Sequence, residues 1–243
     1  MKGFGVTDKG KVRKENQDSY VLQLLRKPEG ALVVVCDGMG GARAGGIASS
    51  MASDRFAQEA LARMQDCPEL SLAEIAREAA VLANAQVFER SRQDPNCKGM
   101  GTTLVAALIR EGEAVVVNAG DSRAYLLRAG SAARITRDHS LVEDMVDAGE
   151  LTAEQAQRHP KKNLITRALG VERHVPCDIF ELALEAGDTL MLCSDGLSNQ
   201  VTAPELADQR RKSKTVNDFC KKLLKTALER GAPDNVTVAA IQL

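Results

Sequence analysis

Apolar residues in this chain fall into short runs bounded by Gly, Asp or Asn. Six of them have the length and β-branched content of strands. They are Ala31–Cys36 (ALVVVC), Thr103–Ile109 (TLVAALI), Ala114–Asn118 (AVVVN), Ala124–Leu127 (AYLL), Thr189–Cys193 (TLMLC) and Val236–Ile241 (VTVAAI). Three other stretches predict helices. The one after Ala44 is rich in small residues (Ala44, Gly45, Ala48, Ala52), which permits close packing on a sheet. The second places Leu72, Ile75, Ala76, Ala79, Ala83 and Val87 on one face, and the third repeats Val216, Phe219, Cys220, Leu223, Leu224 and Ala227. Ile109 to Ala114 and Leu127 to Ala133 are separated by too few residues for a crossover helix, so those strands pair antiparallel. The pattern predicts an α+β chain of antiparallel sheets covered by helices.

Ser140 to Gly170 differs from its surroundings. It is polar, Thr152-Ala153-Glu154-Gln155 fits a capping box opening a short helix, and His159-Pro160-Lys161-Lys162-Asn163 should be irregular. Such a segment reads as a surface insertion over the main body, where substrate contacts collect. No repeat, low-complexity tract or linker divides the chain, so one domain spanning 1–243 is expected.

Charge and composition remove several classes of function. With 32 basic and 33 acidic residues the formal net charge is −1, so no global field attracts nucleic acid or membrane. Aromatics are 3% with no Trp, too few for base stacking. The N-terminal twenty residues contain no apolar stretch of signal-peptide length. No run approaches the roughly 18 apolar residues of a membrane helix. Six scattered cysteines include no CxxC pair, and Cys36 and Cys193 lie in core-like runs. A reduced, cytoplasmic setting is expected.

The chemistry gathers at aspartates on strand ends. An apolar strand followed by Asp-Gly occurs at Val33–Gly38 and again at Met191–Gly196, with a looser copy at Val115–Asp121. Asp234-Asn235 precedes the last strand, and Asp18 follows Arg13-Lys14-Glu15-Asn16-Gln17. Each Asp-Gly alone reads as a turn. Together they form a set of carboxylates that would repel one another without a cation. Oxygen ligands without Cys or His select hard ions such as Mg²⁺, Mn²⁺ or Ca²⁺. Two such ions, about 3.5–4 Å apart, are a common device for hydrolysing phosphate esters. The near-match to a phosphate loop at Gly5–Val12 lacks the terminal Ser or Thr and reads as a hairpin turn leading to Arg13. A cysteine phosphatase needs Arg six positions after Cys; the nearest approach, Cys36 with Arg43, is seven.

Val12–Ser19 (VRKENQDS), Val35–Gly41 (VCDGMGG), Gly99–Thr103 (GMGTT), Asn118–Tyr125 (NAGDSRAY), Asp138–Leu141 (DHSL), Cys193–Leu197 (CSDGL) and Pro233–Thr237 (PDNVT) follow one another along the chain. Through this ordered series the chain resembles the protein phosphatase 2C family. The compact length and the Ser140–Gly170 stretch, which matches a flap subdomain over approximately 140–170, are similar to its bacterial branch. The resemblance implies a four-layer α/β/β/α sandwich of two antiparallel sheets. It also implies hydrolysis of phosphoserine and phosphothreonine by a hydroxide held between two ions, Mn²⁺ or Mg²⁺, with a third weaker position. Partners would be phosphoproteins, among them a cognate eukaryotic-like Ser/Thr kinase.

Residue by residue, Asp37 would bridge both ions and the Gly38 carbonyl would complete one of them. Asp195 and Asp234 would hold the other, and Asp121 with Asp195 would form the third position. Arg13 would bind phosphate, and Asp18 would steer metal-bound waters. Gln17 departs from the acidic residue often found there, which predicts weaker metal binding. Met39 stands where some members carry a His proposed as general acid, so that role cannot be transferred and a metal-bound water is the expected proton donor. His139 reads as structural, and Lys161 and Lys162 as contributors to substrate selectivity. The alternative is a catalytically impaired, phosphatase-like binding module, which metal-dependent turnover would separate from an enzyme.

Overall fold

A computed structural model describes residues 1–26, 29–40 and 44–243, apart from the side chain of Gln157. Gly41 and Arg43, named above, lie outside the described residues. Two sheets are present, and every paired strand is antiparallel. One sheet runs β2 (Asp18–Arg26), β3 (Glu29–Met39), β5 (Leu104–Arg110), β6 (Glu113–Ala119) and β9 (Asp178–Ala183). A two-residue strand, β4 (Gly101–Thr102), pairs with the end of β3. The other sheet runs β1 (Lys2–Asp8), β11 (Val236–Gln242), β10 (Thr189–Cys193), β7 (Arg123–Arg128) and β8 (Ser131–Arg134).

The sheets are glued by alternate residues. Ala31, Val33 and Val35 of β3 pack with Val105, Val116, Leu190, Leu192, Ala239 and Ile241 in a layer shared by both sheets. The intervening Leu32, Val34 and Cys36 face the other way, onto helices α1 (Ala44–Asp66) and α2 (Leu72–Gln93). Both faces of β3 are therefore dry, which is why its sequence is a continuous apolar run without alternation. On the far side, Phe219, Cys220 and Leu223 of α7 (Val216–Glu229) pack with Met191, Cys193 and Val238. Burying Phe219 completely contributes about 1.5–3 kcal/mol. The result is the expected order of helices, sheet, sheet, helices.

All six predicted strands and all three predicted helices are present. Both short connections are hairpins whose turns have positive φ at each central residue, Glu111 (53°) with Gly112 (84°) and Ala129 (49°) with Gly130 (79°). That geometry matches the twist of the strands it joins. Strand β1 was not predicted. It runs through the phosphate-loop look-alike, turns at Gly10 (φ 74°), and no helix follows before Asp18. Strands β2, β8 and β9 also escaped, because partial burial on sheet edges weakens their apolar pattern.

Within residues 140–170 lie α3 (Leu141–Asp147) and α4 (Ala153–Arg158), the latter opened by the expected Thr152–Gln155 capping box. The ends of this segment are tied to the body. Ser140 pairs with Ile165, Leu169 pairs with Thr102, and the Gly170 N–H donates to Asn84 Oδ1 of α2 at 2.8 Å. Two more short helices, α5 (Asp195–Ser198) and α6 (Ala203–Arg211), follow β10. Among the described residues no helix is long and apolar enough to cross a membrane.

Candidate metal centre

Four of the five aspartates singled out by sequence meet in one cleft of about 600 Å³. Asp37 comes from β3, Asp121 from the turn after β6, Asp195 from the start of α5 and Asp234 from the turn before β11. Gly38 and Arg13 line the same cleft. Asp18 sits directly opposite Asp37 in the β2–β3 register. Two like charges facing each other across a ladder are destabilising, so this pairing is not explained by folding alone.

Local backbone bonds hold Asp37 on both sides. Its N–H donates to Thr103 Oγ1 (2.9 Å), while its carbonyl accepts from the Thr103 N–H (2.9 Å) and Thr102 Oγ1 (3.0 Å). Gly38 is packed so closely that a Cβ there would lie 2.0 Å from the Gly45 carbonyl. The small-residue start of α1 thus presses on the strand end, as its composition suggested. Asn235 holds the loop that carries Arg13. Its Oδ1 accepts from the Gln17 N–H (2.8 Å), and its Nδ2 donates to the carbonyls of Lys9 and Glu15 (2.9 Å each).

The electrostatics follow from burial. Asp18 Oδ2 accepts from Thr237 Oγ1 (2.6 Å) and Ser194 Oγ (2.7 Å), yet Oδ1 is buried with no partner. Burial lifts its carboxyl from 3.8 to about 7 against the pull of those hydroxyls, and Asp195 and Asp234 add to the rise. Asp121 is likewise pushed to about 7, by burial first and then by Asp195 and Asp138. Asp37 is held well above its ordinary value by burial, then by Asp18 and Asp195. Asp195 is raised by burial and by Asp234, and its Oδ1 also lacks a partner. Arg13 Nη2 donates to Asp234 Oδ2 at 2.7 Å, which raises the arginine further. Behind Asp121, Arg123 clasps Asp138 through Nε (3.0 and 3.1 Å) and Nη2 (2.6 Å).

Half-buried carboxylates with raised pKa values and unpartnered oxygens match a cation-binding role in a way that turns do not. Among the described residues no three of His, Cys, Asp and Glu already close around a single point. Hard cations commonly complete their shells with backbone carbonyls and water, and the Gly38 backbone lies in the same cleft.

Several residues outside the sequence-predicted set prove necessary to the geometry. Thr103, Ser194, Asn235 and Thr237 support the aspartates, and they were visible beforehand only as unassigned members of the ordered motifs. His139 is 1% exposed and engaged at both ring nitrogens, in agreement with a structural reading. Met39, which stands where some family members carry a His, lines the cleft. The cleft-lining residues of the 140–170 segment are Asn163 and Ile165; Lys161 and Lys162 are exposed and do not line it.

A cluster of aspartates beside an arginine, in a cleft at the edge of a double-sheet sandwich, is the kind of site a metal-dependent phosphoester hydrolase uses. The comparisons place it more narrowly. The profile described as Protein phosphatase 2C matches residues 10–237, and the chain belongs to that family. It is 37% identical over 240 residues to a serine/threonine phosphatase stp of Listeria welshimeri, covering 97% of this chain and 93% of that protein. The crystal structure of the Mycobacterium tuberculosis serine/threonine phosphatase PstP/Ppp superposes with a TM-score of 0.87 at 36% identity, covering 99% of this chain and 98% of that one. A structure of the PstP catalytic domain in complex with two manganese ions gives a TM-score of 0.84 at 35% identity, covering 98% and 96%.

Proposed function

We infer that this chain is a protein serine/threonine phosphatase that uses two hard divalent cations, Mn²⁺ or Mg²⁺, with a weaker third position. The observation that carries this reading is the half-buried aspartate cluster, in which the carboxyls of Asp18, Asp37, Asp121 and Asp195 are raised and Asp18 Oδ1 and Asp195 Oδ1 are unpartnered. Asp37, the Gly38 carbonyl, Asp195 and Asp234 would hold the two ions, and Asp121 with Asp195 would hold the third. When bound, the ions neutralise this cluster, hold phosphate oxygens and acidify a water for attack on phosphorus.

The chain's own residues do the rest. Arg13 presents a planar fork suited to two phosphate oxygens. Asp234 holds it over the cleft at 2.7 Å. Asp18, fixed by Thr237 and Ser194 opposite Asp37, would steer metal-bound water from behind the cleft lining. Met39 at the cleft wall has no proton to give the leaving alcohol, and water would supply it. The substrates are phosphoproteins, including a cognate Ser/Thr kinase, and the setting is the cytoplasm. The 140–170 segment acts as a flap on a single catalytic domain, offering Asn163 and Ile165 to the substrate.

The test is hydrolysis of a phosphothreonine peptide by metal-stripped protein, with Mn²⁺ or Mg²⁺ restored, beside Asp195→Asn. Turnover recovered by metal and lost in the variant is expected. A folded wild type that binds Mn²⁺ but releases no phosphate would instead mark an inactive binding module.

A further inference from the structure

His139 lies between the two walls of the cleft and uses every polar atom it has. Its N–H donates to the Gly120 carbonyl (2.9 Å), and its Nδ1 accepts from the Gly120 N–H (3.1 Å). One residue thus takes both backbone groups of the glycine that precedes Asp121. Gly120 has a φ of 115°, a conformation few other residues adopt, so the turn that aims Asp121 depends on being held from outside. Because Nδ1 accepts, the ring proton resides on Nε2. Nε2 therefore donates to Asp178 Oδ2 at 3.0 Å.

The other oxygen of Asp178 serves the opposite wall. Arg167 Nη1 donates to Asp178 Oδ1 at 2.9 Å and rests 3.1 Å from Nε2 of the same histidine. Arg167 is two residues beyond Ile165, which lines the cleft. Between them the Thr166 N–H donates to the His139 carbonyl at 2.8 Å. The imidazole is therefore joined at one end to the turn bearing Asp121 and at the other, through Asp178, to the root of the segment bearing Ile165.

We propose that His139 is a positioning residue that sets both cleft walls, with Nδ1 fixing the Gly120–Asp121 turn and Nε2 fixing the Asp178–Arg167 seat beneath Ile165. The inference rests on the reading of Asp121 as a metal ligand and of Ile165 as a substrate contact. It assigns His139 two separable tasks, which a residue that merely fills the core would not have.

Side-chain amides can remove one task at a time. In His139→Asn, Oδ1 stands near the place of Nδ1 and keeps the Gly120 bond, while the reach to Asp178 is lost. In His139→Gln, the amide nitrogen reaches toward Asp178, while the acceptor for the Gly120 N–H is lost. Full-length variants are compared by Mn²⁺ titration calorimetry without substrate, by steady-state kinetics on a phosphothreonine peptide and on an aryl phosphate, and by melting temperature. His139→Gln should bind Mn²⁺ about tenfold more weakly at its weakest site, the usual loss when a residue supporting a ligand is removed. His139→Asn should keep Mn²⁺ binding close to wild type while its KM for the peptide rises severalfold and its aryl phosphate kinetics stay unchanged.

Asp178→Ala, at a half-exposed position, should reproduce the His139→Asn pattern and supplies the answer if both histidine variants fold poorly. Parallel losses of Mn²⁺ affinity and peptide KM in all three variants, in step with melting temperature, would overturn the proposal. So would an unchanged peptide KM in Asp178→Ala. Titration of Asp121→Asn separates this result from failure of the underlying reading: unchanged Mn²⁺ binding there would retire Asp121 as a ligand, and the Asp178 kinetics would still decide the second task.

Discussion

Replacing Asp18 by Asn should make the metal-stripped protein more stable at pH 7.5. In the unfolded chain this carboxyl has its ordinary value of 3.8, and in the fold it is about 7. Between those values the folded chain holds more protons than the unfolded one, so stability falls as pH rises through the interval. Above pH 7 the whole cost is present, about three pH units at roughly 1.4 kcal/mol each, or about 4 kcal/mol. The charge is shared with Asp37, Asp195 and Asp234, so neutralising one member recovers roughly half, about 2 kcal/mol. For a chain of this length that is a rise in melting temperature of roughly 4–8 °C.

Asn retains one oxygen for the Thr237 and Ser194 hydroxyls, so the substitution removes the charge with little loss of bonding. Thermal melts in EDTA at pH 5 and 7.5 read the effect directly. The variant should melt higher at pH 7.5, and the gap should shrink at pH 5, where the wild-type carboxyl is protonated. Saturating Mn²⁺ should reverse the order, because the wild type then gains more. A variant that melts below wild type at pH 7.5 in EDTA, or a gap of equal size at pH 5, would refute this account.

Two further substitutions probe the supports of the site. Arg13→Ala should raise KM for a phosphopeptide by about tenfold or more through loss of a charge-assisted fork, with melting temperature nearly unchanged because the side chain is exposed. Equal KM in variant and wild type would remove Arg13 from phosphate binding. Asn235→Ala breaks three hydrogen bonds to the 9–17 loop. At about 1 kcal/mol each, urea denaturation should show a loss of about 2–4 kcal/mol, accompanied by reduced turnover.

How much of this was legible in the chain depended on burial. β3, β5 and β10 are dry on both faces, and their unbroken apolar runs announce them. β2 pairs residue for residue with β3, yet it presents one half-wet face at the sheet edge and reads as ordinary mixed sequence. The aspartates could be found because Asp is conspicuous at the end of an apolar strand. Their supports could not, because each acts across a long separation in sequence. Thr237 reaches Asp18 over 219 residues and Asn235 reaches Gln17 over 218, and no local pattern encodes such bonds. The lysines of the 140–170 segment drew attention by charge, whereas the cleft is lined there by Asn163 and Ile165, set by the pairing of Ile165 with Ser140.

The pairing of β1 with β11, from Lys2 opposite Gln242 to Asp8 opposite Val236, also governs when activity can begin during synthesis. Arg13 is translated 221 residues ahead of Asp234, the carboxylate that holds it. The Asn235 clamp follows Asp234 directly, and β11 comes after both. Until those residues clear the ribosome, the loop bearing Arg13 has nothing to close upon, and the nascent chain carries no assembled hydrolase. The cleft is therefore assembled from the two ends of the chain, and its closing is among the last steps that the order of synthesis permits.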